Sequence, residues 1–120
     1  MVYGSGKPRR QFIFSHDLAR LILWTLTSYT QTEPIILSVG EEEEVSIGEA
    51  AQAVADAFTK LSSVKMSLEY ETSYSDGQFK KTASNAKLRK YLPHFQFTPL
   101  AEGVERTVQW FLHNYQLARK

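Results

Sequence analysis

The sequence contains no cysteine. That excludes a disulfide framework and any metal centre built on thiolates. No run of about 18 apolar residues occurs, so no segment reads as a membrane-spanning helix. An excess of one charge is missing too, because 14 Lys and Arg face 13 Asp and Glu. A balanced chain offers no global attraction to nucleic acid, although a local basic patch stays open. The first residues lack the charged-then-apolar pattern of a secretory leader. The histidines His16, His94 and His113 are far apart, without ligand spacing, and read as structural or exposed. No internal repeat is visible, and the one biased tract is Glu41–Glu44. What remains is one domain of 120 residues, or part of one, with a modest core. A reducing, cytoplasmic setting without membrane or nucleic-acid partners fits it best.

The opening stretch Met1–Asp17 carries the densest chemistry. Tyr3 precedes Gly4 and Gly6, and Lys7-Pro8-Arg9-Arg10 follows. Glycines let a backbone turn and approach a ligand closely. Arginine offers a planar fork of donors suited to phosphate oxygens, and a flat ring beside it can stack on a base or sugar. On residue types alone, the commoner meaning of such a stretch is a basic loop before a strand.

In chain order, Gln11–Phe14 alternates like a short strand. Ser15 or Asp17 is placed to cap a helix with Leu18, Ile22, Leu26 and Tyr29 on one face and Leu21 beside them. Leu23 and Trp24 make that helix apolar on more than one side, so it is expected to be widely buried or to pack on something outside the chain. The run 35–39 suits a strand buried on both faces. Glu41–Glu44 reads as negative charge set before a helix N-terminus. Ser46-Ile47-Gly48-Glu49 is a capping box, opening a helix to about Thr59 whose alanines suggest close packing on a sheet. Val64 to Tyr70 alternates as a half-exposed strand, and Ser75-Asp76-Gly77 is a turn. A short helix is expected from about Ser84 to Tyr91. Thr98-Pro99 opens a last helix, with Leu100, Val104, Val108, Phe111, Leu112 and Tyr115 on its face and Trp110 off it. The order β-α-β-α-β-α-α indicates an α/β fold in which helix-connected strands can be parallel.

Three segments in order, YGSGKPRRQFIFSHDLA from Tyr3, EPIILSVGEEEEVSIGEAAQAV from Glu33 and SDGQFKKTASNAKLRKYLP from Ser75, resemble the C-terminal part of the GDP-L-fucose synthases. These are extended short-chain dehydrogenases/reductases. The similarity runs through nearly the whole chain. It implies an α/β substrate-binding lobe over residues 1–120, with short strands, four helices and the Rossmann core mostly absent. It implies a GDP-sugar partner and, in the complete enzyme, a homodimer. Arg10 matches the family arginine at the diphosphate, and Lys81 the lysine that approaches it from the other segment. Tyr3 stands where bacterial members usually carry tryptophan near the nucleotide. Asp76 and Gly77 precede the lysine pair, and the carboxylate there can accept from ribose or guanine donors. Arg9 is adjacent, but alternation along a strand turns it away from Arg10.

The resemblance also says what is missing. NADP is expected on an N-terminal Rossmann domain outside this chain, because Gly4-Ser5-Gly6-Lys7-Pro8-Arg9 lacks the third glycine of the dinucleotide loop and precedes no helix. Tyr70 to Tyr74 does not match the family's Tyr-x-x-x-Lys pair. The family's epimerisation pair needs a cysteine. No catalytic residue is therefore expected here, and the chain alone is expected to be inactive. Two alternatives remain: a lobe for another sugar nucleotide, linked to UDP or dTDP, or a small interaction module using Arg9, Arg10, Lys80, Lys81, Lys87, Arg89 and Lys90.

Overall fold

A computed structural model of the chain describes residues 1–118, so the last two positions of the expected 1–120 domain lie outside the described residues. Four helices are present, α1 Ser15–Ser28, α2 Ile47–Ser62, α3 Ala86–Tyr91 and α4 Leu100–His113. The strands are only two residues each: β1 Val2–Tyr3, β2 Arg9–Arg10, β3 Val45–Ser46 and β4 Tyr70–Glu71. β1 pairs with β4 in parallel, and β2 with β3 antiparallel. An isolated parallel bridge joins Arg9 to Lys80. The α/β lobe with four helices and short strands is thus present, but its ladders fall elsewhere than the hydrophobic pattern suggests.

Several expected elements are corrected. Gln11–Phe14 forms no strand; pairing stops at Arg10 and the chain enters α1 at Ser15. The run 35–39 forms none either, and Ile36 is exposed. Side-chain amides replace the ladder there. Gln11 Nε2 donates to the carbonyls of Val39 at 2.9 Å, Gly40 at 3.0 Å and Ala83 at 3.0 Å, while Ala83 N–H donates to Gln11 Oε1 at 2.7 Å. Asn85 Nδ2 donates to Ser38 O at 3.0 Å. The strand expected from Val64 shrinks to Tyr70–Glu71, because only there does a partner edge, β1, lie alongside. The backbone turns at Thr72-Ser73 rather than at 75–77, although Gly77 does hold a left-handed φ of 65°.

Helix ends also differ. Neither Ser15 nor Asp17 caps α1, since Phe14 occupies the cap position and both lie inside the first turn. Buried Asp17 instead accepts from Thr98 N–H at 2.6 Å, tying α1 to the loop before α4. Pro99, expected at the first helical position, is the N-cap of α4. The capping box of α2 is as expected: Glu49 N–H donates to Ser46 Oγ at 3.0 Å, and Ser46 N–H donates to Glu49 Oε2 at 2.7 Å. α2 packs on α4 rather than on a sheet. Its buried residues are Ala55 and Ala57, small enough to bring two helices close.

The core is small. Val2, Leu21, Val39, Ala55, Ala57, Leu88 and Val108 are buried, and only Leu21 and Leu88 completely. The expected stripe of α1 is largely outside: Ile22 and Leu26 are exposed, as is Leu23, while Leu21 faces in.

Candidate functional site

The first ten residues lie along the segment 69–80. Val2 N–H donates to Glu69 O at 2.7 Å, Gly4 N–H to Glu71 O at 2.9 Å and Arg9 N–H to Phe79 O at 2.8 Å. Between these ladder bonds Asp76 clasps Ser5, accepting from Ser5 N–H and from Ser5 Oγ, each at 2.6 Å. These bonds hold the Asp76 carboxyl below its ordinary range, with the Ser5 hydroxyl the leading cause. Gly4 permits the approach: its φ is 85°, and a Cβ there would stand 2.5 Å from Asp76 Oδ1.

The glycine loop has a second duty. Ile47 N–H donates to Pro8 O at 2.9 Å and Gly48 N–H to Gly6 O at 2.8 Å. With Ser46 on Glu49, the first free donors of α2 are thus satisfied from within the chain, so this helix start is no phosphate cradle.

Each residue singled out from sequence can now be placed. Arg10 is half-buried. Its Nη1 donates to Arg9 O at 2.6 Å and Phe79 O at 3.5 Å, and its Nη2 to Gln78 O at 2.9 Å. A guanidinium has five N–H donors, so these carbonyls fix its plane and leave donors over among the described residues. Lys81 is exposed and follows Lys80, the residue bridged to Arg9. Tyr3 is 67% exposed, with its ring centroid 4.7 Å from that of Tyr74. Asp76 is engaged with Ser5, and Gly77 is open, with nothing within 4 Å of a Cβ built there. The β1–β4 pairing and the Arg9–Lys80 bridge therefore bring the two segments carrying these residues side by side.

Sequence reasoning missed Glu44. It is buried, with its side chain 4% exposed, while Glu41–Glu43 are exposed. Glu44 Oε1 accepts from Thr82 Oγ1 at 2.6 Å. Glu44 Oε2 lies 3.5 Å from Lys80 Nζ and 3.6 Å from Arg9 Nε. Arg9 Nη2 also donates to Glu44 O at 2.5 Å. The Thr82 hydrogen bond, followed by the Lys80 and Arg9 charges, holds this carboxyl below its ordinary range. Its one sequence signal is position: it closes the acidic run and abuts the strand that pairs with Arg9-Arg10. Gln11 was missed likewise, because a carboxamide standing in for a ladder has no periodicity.

The basic residues of the interaction-module alternative are mostly engaged inside the chain. Arg9 and Lys80 serve Glu44, Lys87 pairs with Glu33 at 3.0 Å, and Arg89 lies over the Phe97 ring and donates to Phe95 O. The large clefts lie elsewhere. One of about 530 Å³ is apolar, between Phe12–Phe14 and helices α2 and α4. Another of about 620 Å³ is bordered by His16, Arg106, Trp110 and His113. Neither includes Tyr3, Arg10, Asp76, Gly77 or Lys81; Tyr3, Asp76, Gly77 and Lys81 are exposed and Arg10 is half-buried.

No family model matches the chain. It is 47% identical over 119 residues to a GDP-L-fucose synthase of Dictyostelium discoideum, covering 99% of this chain and 36% of that protein. To a probable GDP-L-fucose synthase of Drosophila melanogaster it is 53% identical over 119 residues, with the same coverage. A crystal structure of a GDP-L-fucose synthetase from Naegleria fowleri bound to NADP superposes with a TM-score of 0.91 at 52% identity, over 99% of this chain and 36% of that one. The chain therefore spans about a third of the length of these relatives. In sequence and in fold together, it is similar to the C-terminal part of the GDP-L-fucose synthases.

Proposed function

We propose that the chain is the GDP-sugar-binding portion of an enzyme that converts GDP-4-keto-6-deoxy-D-mannose to GDP-L-fucose, by epimerisation at C3 and C5 and NADPH-dependent reduction at C4. One observation carries this reading: residues 9–10 and 80–81, far apart in sequence, run side by side through the Arg9–Lys80 bridge. Arg9 and Lys80 both turn to Glu44. Alternation along extended backbone puts Arg10 and Lys81 on the opposite face, where two cations suit the two phosphates of a GDP-sugar. Tyr3 and the Asp76–Gly77 loop sit further along the same paired segments, and we assign them to the nucleoside.

NADP belongs to the other part of the enzyme. The residues here do not fit a dinucleotide, because the carbonyls of the Gly4–Pro8 loop cap α2 where a cradle would need free N–H groups. The chain supplies binding and orientation, and by itself turns over no substrate. The family resemblance brings with it a homodimer and a cytoplasmic location. None of the described helices is long and apolar enough to cross a membrane.

In the complete enzyme, Arg10→Ala and Lys81→Ala should each weaken GDP-sugar binding by about 1.5–3 kcal/mol, the range for charge-assisted hydrogen bonds. Titration calorimetry measures this, and unchanged affinity in both variants contradicts the assignment. A parallel titration with the UDP-sugar should show weaker binding; equal affinity would favour a different nucleotide.

A further inference from the structure

We propose that Glu44 is the positioning residue of the diphosphate site, turning Arg10 and Lys81 toward the ligand by holding the residues beside them. The proposal rests on the assignment of Arg10 and Lys81 to the diphosphate and goes beyond it by naming what aims them.

Lys80, Thr82 and Arg9 converge on one carboxylate. Lys80 and Thr82 flank Lys81 in sequence, and both reach Glu44, Lys80 at 3.5 Å and Thr82 at 2.6 Å. An extended segment whose residues i−1 and i+1 are fixed on one side must send residue i to the other. Arg9 precedes Arg10, and it too is held by Glu44, through the carboxylate at 3.6 Å and the backbone carbonyl at 2.5 Å. The same argument therefore sends Arg10 to the face Lys81 takes. One buried side chain thereby bears on both cations, on Lys81 through its two neighbours and on Arg10 through Arg9, while the carbonyls of Arg9, Gln78 and Phe79 fix the Arg10 guanidinium plane; it touches neither cation in the structure.

Glu44 also solves a charge problem. Arg9, Arg10, Lys80 and Lys81 are gathered by one bridge, and like charges so close repel. A buried carboxylate between Arg9 and Lys80 neutralises the inner pair and leaves the outer pair for the ligand. Because a buried ion is held firmly only when its remaining lone pairs are satisfied, the Thr82 hydroxyl completes the arrangement.

The test uses the complete enzyme titrated with GDP and, separately, with GMP, which lacks the second phosphate. The wild-type enzyme should prefer GDP. Glu44→Gln should weaken GDP by about tenfold, the loss of one well-aimed charge-assisted contact, and leave GMP unweakened, so that the preference collapses. A general field effect predicts the opposite sign, since removing a negative charge tightens both anions. A merely structural role would weaken GDP and GMP together and lower the melting temperature. Either of those results overturns the proposal. Glu44→Asp, which keeps the charge, should retain most of the preference. If Glu44→Gln does not fold, Thr82→Val removes only the hydroxyl that steadies the carboxylate and should lower the preference in the same direction; an unchanged preference there overturns the proposal. A wild-type enzyme with no preference for GDP would instead bring down the diphosphate assignment itself, and this inference with it.

Discussion

Asp76 and Ser5 join segments 71 residues apart through two 2.6 Å hydrogen bonds, and the chemistry of that clasp sets a pH dependence. The carboxyl of Asp76 is held below its ordinary value of 3.8 by the Ser5 hydroxyl first and the Ser5 N–H second. A group whose pKa falls on folding stabilises the fold at pH above its unfolded value, and that contribution is lost as pH drops through the lower, folded value. Stability should therefore decline on acidification below about pH 3.8, and Asp76→Asn should flatten that decline while lowering stability at neutral pH. Urea unfolding at a series of pH values measures both, and equal slopes in wild type and variant would refute the clasp. Other carboxylates steepen the same limb: Glu44 through Thr82, Glu49 through Ser46 and Glu71 through Ser73. At this scale, alternation separated Arg9 from Arg10 in the sequence, because their side chains must diverge. Glu44 was not legible. Four glutamates in a row look alike, and only the pairing of Val45 with Arg10 buries the last of them.

Among the elements, α2 was the most readable. Its start is a local signal: the capping box needs only residues 46 and 49, and both reciprocal bonds are present. Ser46→Ala should cost about 1 kcal/mol of stability, as typical for loss of an N-cap side chain, read as a lowered midpoint in chemical denaturation with an unchanged slope. An unaltered midpoint would mean that Pro8 and Gly6, which accept from the next two N–H groups, hold the helix start by themselves. The strands were legible only as apolar runs. A run says that a segment is buried or extended, but a ladder needs an edge to pair with, and here the edges come from distant segments. Val2–Tyr3 carries no alternation long enough to notice, yet it pairs with Tyr70–Glu71. The run 35–39 has the apolar look of a strand, yet Gln11 and Asn85 side chains satisfy its carbonyls. The close packing of Gly103 under Phe14, where a Cβ would stand 3.3 Å from the ring, was equally invisible, since a glycine within a helix gives no sign of what crosses it.

The molecule as a whole is open. Its radius of gyration is 16.5 Å, against roughly 14 Å for a compact domain of this length, and its core is small. The apolar excess of α1 explains part of this: Leu23 is 62% and Leu26 77% exposed. In the isolated chain it should drive self-association, because contiguous exposed apolar surface is rarely left in water. Sedimentation should show concentration-dependent assembly that Leu23→Lys with Leu26→Lys shifts toward monomer; a wild-type chain that stays monomeric at high concentration would contradict this. The pairing of residues 1–10 with 69–80 also dictates a timetable during synthesis. Arg10 emerges from the ribosome 68 residues before Gln78, whose carbonyl accepts from it, and closing so long a loop is slow. The helices, whose backbone hydrogen bonds are local, can begin to form while the N-terminal segment waits, although α2 packs on α4 only once both are made. The proposed anion clamp is then a late product of translation, and a nascent chain halted before Gln78 leaves the Arg10 guanidinium without the carbonyls of Gln78 and Phe79.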